Sequence, residues 1–259
     1  MTFFKREIRL FYTALRFYTR IPCPAWVEFS ADYTTHSSRY FPLIGILVGT
    51  ISAVSFYLFA LAFHPLLALL LMLCVAVLLT GAFHEDGLAD TCDGFGGGYT
   101  KEKMLEIMKD SRIGTYGFMG LFLVVLIKIT ALNEFALEDI PFMLICGNAI
   151  SRFTAISFVY THEYSRADDS SKSKAMADTM SLNDLIIAAT FGIVPLFCFL
   201  NPYIFLVLIP VYLCRFLLGR MFVRGIGGYT GDCLGATQQI SEIVFYLSAI
   251  VILRFIPWN

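Results

Sequence analysis

Four carboxylates, Glu85, Asp86, Asp90 and Asp93, fall within nine residues directly after a long apolar run, Leu66 to Phe83. If that run is a helix that continues to Asp93, then Asp86, Asp90 and Asp93 stand at i, i+4 and i+7 and share one face. Three like charges on one face repel one another and call for a cation. Oxygen-only donors suit a hard ion, Mg²⁺ ahead of Zn²⁺, and magnesium held by carboxylates commonly serves a phosphate or diphosphate substrate. The competing reading is a solvated acidic helix end. The setting weighs against it. The acids sit at the mouth of an apolar helix beside Gly87, Gly94, Gly96, Gly97 and Gly98, and acids at a membrane are costly unless used.

Two further stretches carry chemistry. Lys109 and Arg112 follow a short polar segment that Thr100 is placed to cap; Arg suits bidentate phosphate binding and Lys acts as a point charge. Gly225 to Gly235 reads Gly-Ile-Gly-Gly-Tyr-Thr-Gly-Asp-Cys-Leu-Gly. Its glycines, Gly228 and Gly231 among them, let backbone amides close on a phosphate around Thr230, and Asp232 can reach a metal. The plainer alternative is a turn in which Asp232 caps the next helix. Glu242 follows at the predicted start of the last helix. Three cations, Lys128, Arg152 and Arg215, fall within apolar spans, where each must face the bundle interior or snorkel. Arg152 is the deepest, and an anionic partner is expected for it. Arg215 is near enough to an end to snorkel. His84 abuts the acids, but one histidine does not make a general base, and it is read as structural.

The elements that must position these residues are membrane helices. The chain has 259 residues, 58% hydrophobic and 15% charged, with mean hydropathy +0.72, whereas soluble domains run nearer ~25% charged. An all-α, polytopic membrane bundle follows, forming a single domain over 1–259. Residues 3–20 read as an amphipathic helix for the lipid surface or the bundle flank, with Phe4, Ile8, Phe11, Leu15 and Tyr18 on one face and Lys5, Arg6, Arg9, Arg16 and Arg20 supplying charge. Seven spans are predicted, at about 40–63, 65–84, 114–134, 141–160, 184–200, 203–223 and 240–257; the fifth is short and contains Pro195. Four of the seven cysteines, Cys74, Cys146, Cys198 and Cys214, lie in apolar runs as small hydrophobes; Cys23, Cys92 and Cys233 lack zinc spacing. The first twenty residues lack the apolar core of a cleavable signal.

All but four of the nineteen Lys and Arg residues lie in the N-terminal segment and in the 85–113, 161–183 and 220–238 loops; the exceptions are Lys128, Arg152, Arg215 and Arg254. In a seven-span count these four regions share one side, so the N-terminus and the acidic motif are expected to face the cytoplasm. A net charge of −1 gives no sign of a nucleic-acid partner. The small-molecule substrate and the lipid membrane are the expected partners, and a homo-oligomer is left open.

Several stretches resemble one family. Phe83-His84-Glu85-Asp86-Gly87-Leu88-Ala89-Asp90-Thr91-Cys92-Asp93-Gly94, Leu105-Glu106-Ile107-Met108-Lys109-Asp110-Ser111-Arg112-Ile113-Gly114 and Gly227-Gly228-Tyr229-Thr230-Gly231-Asp232-Cys233-Leu234-Gly235-Ala236 look like the signatures of the cobalamin synthase (adenosylcobinamide-GDP ribazoletransferase) family. Phe17 to Pro24 and Phe41 to Gly45 agree, and the set occurs in the family's order over nearly the whole chain. Glu85 departs from that pattern, in which an apolar residue is common. The resemblance implies an integral protein of the bacterial inner membrane that uses Mg²⁺. It would join adenosylcobinamide-GDP to α-ribazole, or to its 5′-phosphate, in the nucleotide-loop assembly of vitamin B12.

With that resemblance, the metal ligands are expected among Asp86, Asp90, Asp93, Asp232 and Glu85. Asp232 and Asp90 are expected to be catalytic. Lys109, Ser111, Arg112, Arg152, Gly228, Thr230, Gly231 and Glu242 are expected to bind substrate. Rival readings are a CDP-alcohol phosphatidyltransferase, an intramembrane prenyltransferase, or a transporter that binds a coupling cation. The glycine-rich Asp232 loop argues against the first two. The helix-end position of the acids, with no visible repeat, argues against the third.

Overall fold

The structure is a computed structural model that describes residues 3–27, 33, 36–165, 180–199 and 201–256. Ten α-helices occur among them, most built from the apolar runs. α1 (Phe3–Tyr18) buries Leu10, Ala14, Leu15 and Tyr18 against the bundle and leaves Lys5, Arg6, Arg9 and Arg16 exposed. The amphipathic pattern therefore packs on protein along one side. α2 (Phe41–Ala60), α3 (Pro65–Thr80) and α7 (Ile140–Thr161) each carry a proline in the first turn, where no intrahelical amide bond is lost. α6 is Thr115–Asn133, α9 is Leu208–Ile226 and α10 is Gly231–Phe255.

α7 is the central post, with 83% of its apolar window buried. It packs against α2, α10 and the shorter α8 (Leu182–Ile193). Two apolar clusters result. One gathers Phe56, Leu69, Leu132, Met143 and Phe245; the other gathers Tyr18, Phe41, Ile44, Phe158 and Phe222. A buried ion pair, Arg39 with Asp184 at 3.1 Å, ties the start of α2 to α8.

Among the described residues five helices are long and apolar enough to cross a membrane, and a sixth span results if α3 and α4 (Phe83–Gly97) count as one broken crossing. The predicted seven are thus reduced. The fifth predicted span is a twelve-residue helix followed by a 3₁₀ turn, Val194–Cys198, that Pro195 enters at its first turn. The predicted 65–84 helix does not run on into the acids. Gly81 ends α3 with φ 72° and Ala82 follows with φ 59°, so α4 leaves at 90°. Two successive left-handed residues cannot continue a helix, and at Ala82 the Cβ makes that conformation strained. The turn is anchored by the Arg20 backbone N–H, which donates to Leu79 O at 2.8 Å. The last helix begins at Gly231, nine residues earlier than predicted, because Thr230 caps it. Of the predicted basic loop 161–183, Arg166, Lys172 and Lys174 lie outside the described residues.

Candidate active site

The break after α3 turns the acidic motif into a helix of its own, α4, laid against α10 and α6. Glu85 and Asp86 stand in its first turn, where the helix dipole favours negative charge. The crossing with α10 is close because glycine faces the contact from both helices. A Cβ on Gly87 would lie 3.0 Å from the Asp232 Cα, and one on Gly235 would lie 3.2 Å from the Gly87 Cα. Asp86 immediately precedes that contact on α4, Asp90 follows it by one turn, and Asp232 occupies the first turn of α10. Asp86 is exposed; Asp90 and Asp232 are half-buried. These three oxygen donors border one helix crossing. Among the described residues, no three His, Cys, Asp or Glu side chains converge at metal-binding distance.

The other two predicted ligands are engaged elsewhere. The buried Asp93 carboxylate accepts the backbone N–H of Gly114 at 2.7 Å and of Gly117 at 2.8 Å, so it caps the start of α6. Glu85 Oε1 accepts from Gln239 Nε2 at 2.9 Å and faces the bundle interior.

α5 (Lys101–Ile107) follows α4 and is capped by Thr100, whose hydroxyl accepts from the Lys103 N–H at 3.3 Å. It packs between α4 and the end of α9. In the loop beyond it, Lys109, Ser111 and Arg112 are exposed. Arg112 forms a fork with Asp110, Nη2 to Oδ2 at 2.6 Å and Nε to Oδ1 at 3.0 Å. These hydrogen bonds hold the Asp110 carboxyl down at about 2 and raise the Arg112 guanidinium further. The cation predicted to meet phosphate thus rests on its neighbour.

The glycine-rich stretch is a tied turn. Gly227 ends α9 with φ 80°. The Tyr229 N–H donates to Glu163 O at 3.0 Å, and the Ser165 N–H donates back to Tyr229 O at 2.8 Å. Gly228 is buried and Gly231 half-buried. Thr230 is fully buried and serves as the N-cap of α10, accepting from the Cys233 N–H at 3.3 Å. The capping role weighed for Asp232 therefore falls to Thr230, and Asp232 accepts from the Thr230 hydroxyl at 3.3 Å.

Glu242 and Arg152 lie deeper, in a buried network. Lys128 Nζ pairs with Glu242 Oε2 at 2.9 Å and also donates to Gln239 Oε1 at 2.9 Å. Glu242 accepts in addition from Gln238 at 3.0 Å and from the Tyr246 hydroxyl at 2.8 Å. Breaking such a pair by removing one charge typically costs about 3–5 kcal/mol. Arg152 does not find the carboxylate expected for it. Its Nη1 donates to Asn148 Oδ1 at 2.6 Å and to Asn148 O at 3.0 Å, and its guanidinium lies 5.6 Å from the Phe41 ring centroid. The anion that would have matched it, Glu242, is taken by Lys128. Arg215 reaches back to Ser157 and Thr161 on α7. The residue pattern alone did not single out Gln238, Gln239 and Tyr246. Their signal was present: Gln238, Glu242 and Tyr246 recur at i, i+4 and i+8 on one face of α10.

Fold and site together define a polytopic helical membrane protein. A short acid-bearing helix, broken from one span, crosses the N-terminus of the last span. A family model described as cobalamin-5-phosphate synthase matches residues 10–251, and the chain belongs to that family. A protein named adenosylcobinamide-GDP ribazoletransferase from Shewanella frigidimarina is 48% identical over 246 residues, 93% of this chain and 94% of the relative. Namesakes from Shewanella amazonensis and Shewanella pealeana are 45% and 43% identical, over 95% and 97% of this chain and 96% and 98% of their own. No solved structure matches the chain.

Proposed function

We propose that this chain joins adenosylcobinamide-GDP to α-ribazole or α-ribazole 5′-phosphate. The products are adenosylcobalamin, or its 5′-phosphate, and GMP, at a late step of cobalamin biosynthesis. The observation that carries this reading is the 48% identity, over 93% of the chain, to a relative named for that transfer. The crossing of α4 with α10 supplies a place for it.

A ribose hydroxyl oxygen of the ribazole attacks the cobinamide-side phosphorus. The bond from that phosphorus to the oxygen of the GMP phosphate breaks, and GMP leaves with the electron pair. Asp232, across the Gly87 contact from the acid helix, accepts the hydroxyl proton. Asp86 and Asp90 would hold Mg²⁺; an all-oxygen pair suits an ion that keeps its remaining positions for water and substrate phosphate. When bound, that ion neutralises the diphosphate and the charge on the departing GMP. Lys109 and Arg112 bind phosphate oxygens, with Arg112 exchanging Asp110 for the substrate. Ser111 and the amides of Gly228 and Gly231 border the same end of the bundle. Asp93 and Thr230 hold the elements in place by capping α6 and α10.

We place the acid helix on the cytoplasmic side of a bacterial inner membrane. In support, α5 packs against both α4 and the end of α9, so the cations of α5 and of the α9 end share one end of the bundle with the acid helix, and positive charge favours the cytoplasmic side. Turnover by the detergent-solubilised chain, given adenosylcobinamide-GDP and α-ribazole with Mg²⁺ or with EDTA, tests the reading. Adenosylcobalamin and GMP should form only with Mg²⁺. A folded preparation that makes neither product, but turns over CDP-alcohols or prenyl diphosphates, would replace the reading.

A further inference from the structure

Behind the acid helix, between the two apolar clusters, lies a cavity of about 30 Å³ walled by α2, α3, α4, α6, α7 and α10. Five polar side chains that line it each leave one buried atom without a partner: Ser52 Oγ, His84 Nε2, Glu85 Oε2, Arg152 Nε and Gln238 Oε1. Four of these residues are no more than 2% exposed. Five such atoms left dry would cost as much as the whole stability of an ordinary domain. The chemistry of the set identifies what fills the space. Arg152 Nε–H can only donate, whereas Glu85 Oε2 and Gln238 Oε1 can only accept. A bare cation leaves the arginine unsatisfied and meets Lys128 as well. An anion leaves the two acceptors unsatisfied. Water serves both, and the volume admits one or two molecules, since each needs about 10–15 Å³ of such space.

We propose that this chamber holds one or two ordered waters and that, with them, Gln239 and Glu85 form a strut that sets the position of the acid helix. The protein part of the strut is continuous. Glu242 on α10 holds Lys128 on α6, Lys128 donates to Gln239, and Gln239 donates to Glu85 at the start of α4. The water part closes it from the other side, taking the Arg152 Nε–H of α7 and donating to Glu85 Oε2. Glu85 stands one residue before Asp86, so the strut fixes where Asp86 and Asp90 sit against Asp232. Glu85 and Gln239 are then positioning residues, and Glu85 is not a metal ligand. This deepens the function proposed above and rests on it for its kinetic readout alone.

The test pairs a structure with a charge swap. An experimental structure that shows ordered solvent should reveal density bridging Arg152 Nε and Glu85 Oε2; an empty chamber, or an ion or lipid bound there, would overturn the proposal whatever the enzyme does. Gln239→Glu places two carboxylates face to face and should lower kcat about tenfold or more with the half-saturating Mg²⁺ concentration unchanged, the scale seen when supporting partners of a site are removed. Adding Glu85→Gln restores the hydrogen bond with donor and acceptor exchanged, and the double variant should recover most of kcat. If the double variant stays inactive or needs about tenfold more Mg²⁺, Glu85 is a ligand and the strut is refuted. Wild-type protein that shows the bridging density but no Mg²⁺-dependent turnover would refute the proposed function and leave the chamber standing.

Discussion

Gly87 on α4 and Asp232 on α10 meet back to back: a Cβ at Gly87 would lie 3.0 Å from both the Cα and the carbonyl oxygen of Asp232. No flexible side-chain end is available to yield there. Gly87→Ala should therefore push the acid helix off α10. Overpacking of this kind costs about 1–3 kcal/mol, and because it shifts the carboxylates relative to one another by some tenths of an ångström, turnover should fall about tenfold. Gly97→Ala is the control. It sits at the exposed end of the same helix, where a Cβ would meet only Ile107 Cδ1 at 3.5 Å. Activity assays on both variants check this; equal losses would show a general effect on α4 rather than a requirement at the crossing.

Asp93 should affect stability more than metal affinity. Its two oxygens accept the amide of Gly114, just before α6, and that of Gly117 in its first turn. Asp93→Ala leaves both amides unpaired and should cost about 2–4 kcal/mol, read as a lower thermal inactivation temperature in detergent. Asp93→Asn keeps one acceptor oxygen and should recover part of that loss. The Mg²⁺ concentration for half-maximal turnover should be the same in the surviving Asn variant as in the wild type.

The Asp110–Arg112 fork predicts a competition for the arginine. Asp110→Asn removes the resting anion and should lower KM for adenosylcobinamide-GDP about threefold, an effect that salt screens because both side chains are accessible. The pH dependence follows from the sign of the shift. The folded-state pKa of Asp110 is depressed to about 2 from an ordinary 3.8, so whatever the fork contributes is present above 3.8 and is lost as pH falls toward 2. Carboxyl chemical shifts of Asp110 should accordingly stay constant from neutrality down to about pH 4. A midpoint near 4 would show that the fork does not persist in solution.

The helical membrane class, the N-terminal amphipathic helix and the grouping of residues 84–98, 105–114 and 227–236 at one end of the bundle could be read from sequence, because apolar length and charged interruptions carry them. The kink could not. A single Gly81 inside an apolar run is compatible with a continuous helix, and nothing in an alanine announces φ 59° at residue 82. The start of α10 was hidden because residues 231–239 mix glycine, threonine, glutamine and aspartate, so apolar periodicity begins late although the helix does not. The partners of Arg152 and Asp93 depend on which helices are neighbours: the spare carboxylate near Arg152 is claimed by Lys128 from α6, and Asp93 meets amides 21 and 24 residues away. Among the described residues seven spans became five or six because the apolar segment Leu182–Cys198 is too short to cross, and because the kink after Gly81 leaves α3 only sixteen residues long.

We propose that Asp86 holds the metal while Asp232, across the helix crossing, handles the proton. The most direct measurement is the Mg²⁺ dependence of turnover in Asp86→Asn and Asp232→Asn beside the wild type, with adenosylcobinamide-GDP and α-ribazole as substrates. Asp86→Asn should raise the half-saturating Mg²⁺ concentration about tenfold or more; Asp232→Asn should lower kcat by about 10²–10⁴ with that concentration unchanged. Wild-type turnover in EDTA, or an Asp86→Asn variant with an unaltered Mg²⁺ response, would contradict the account.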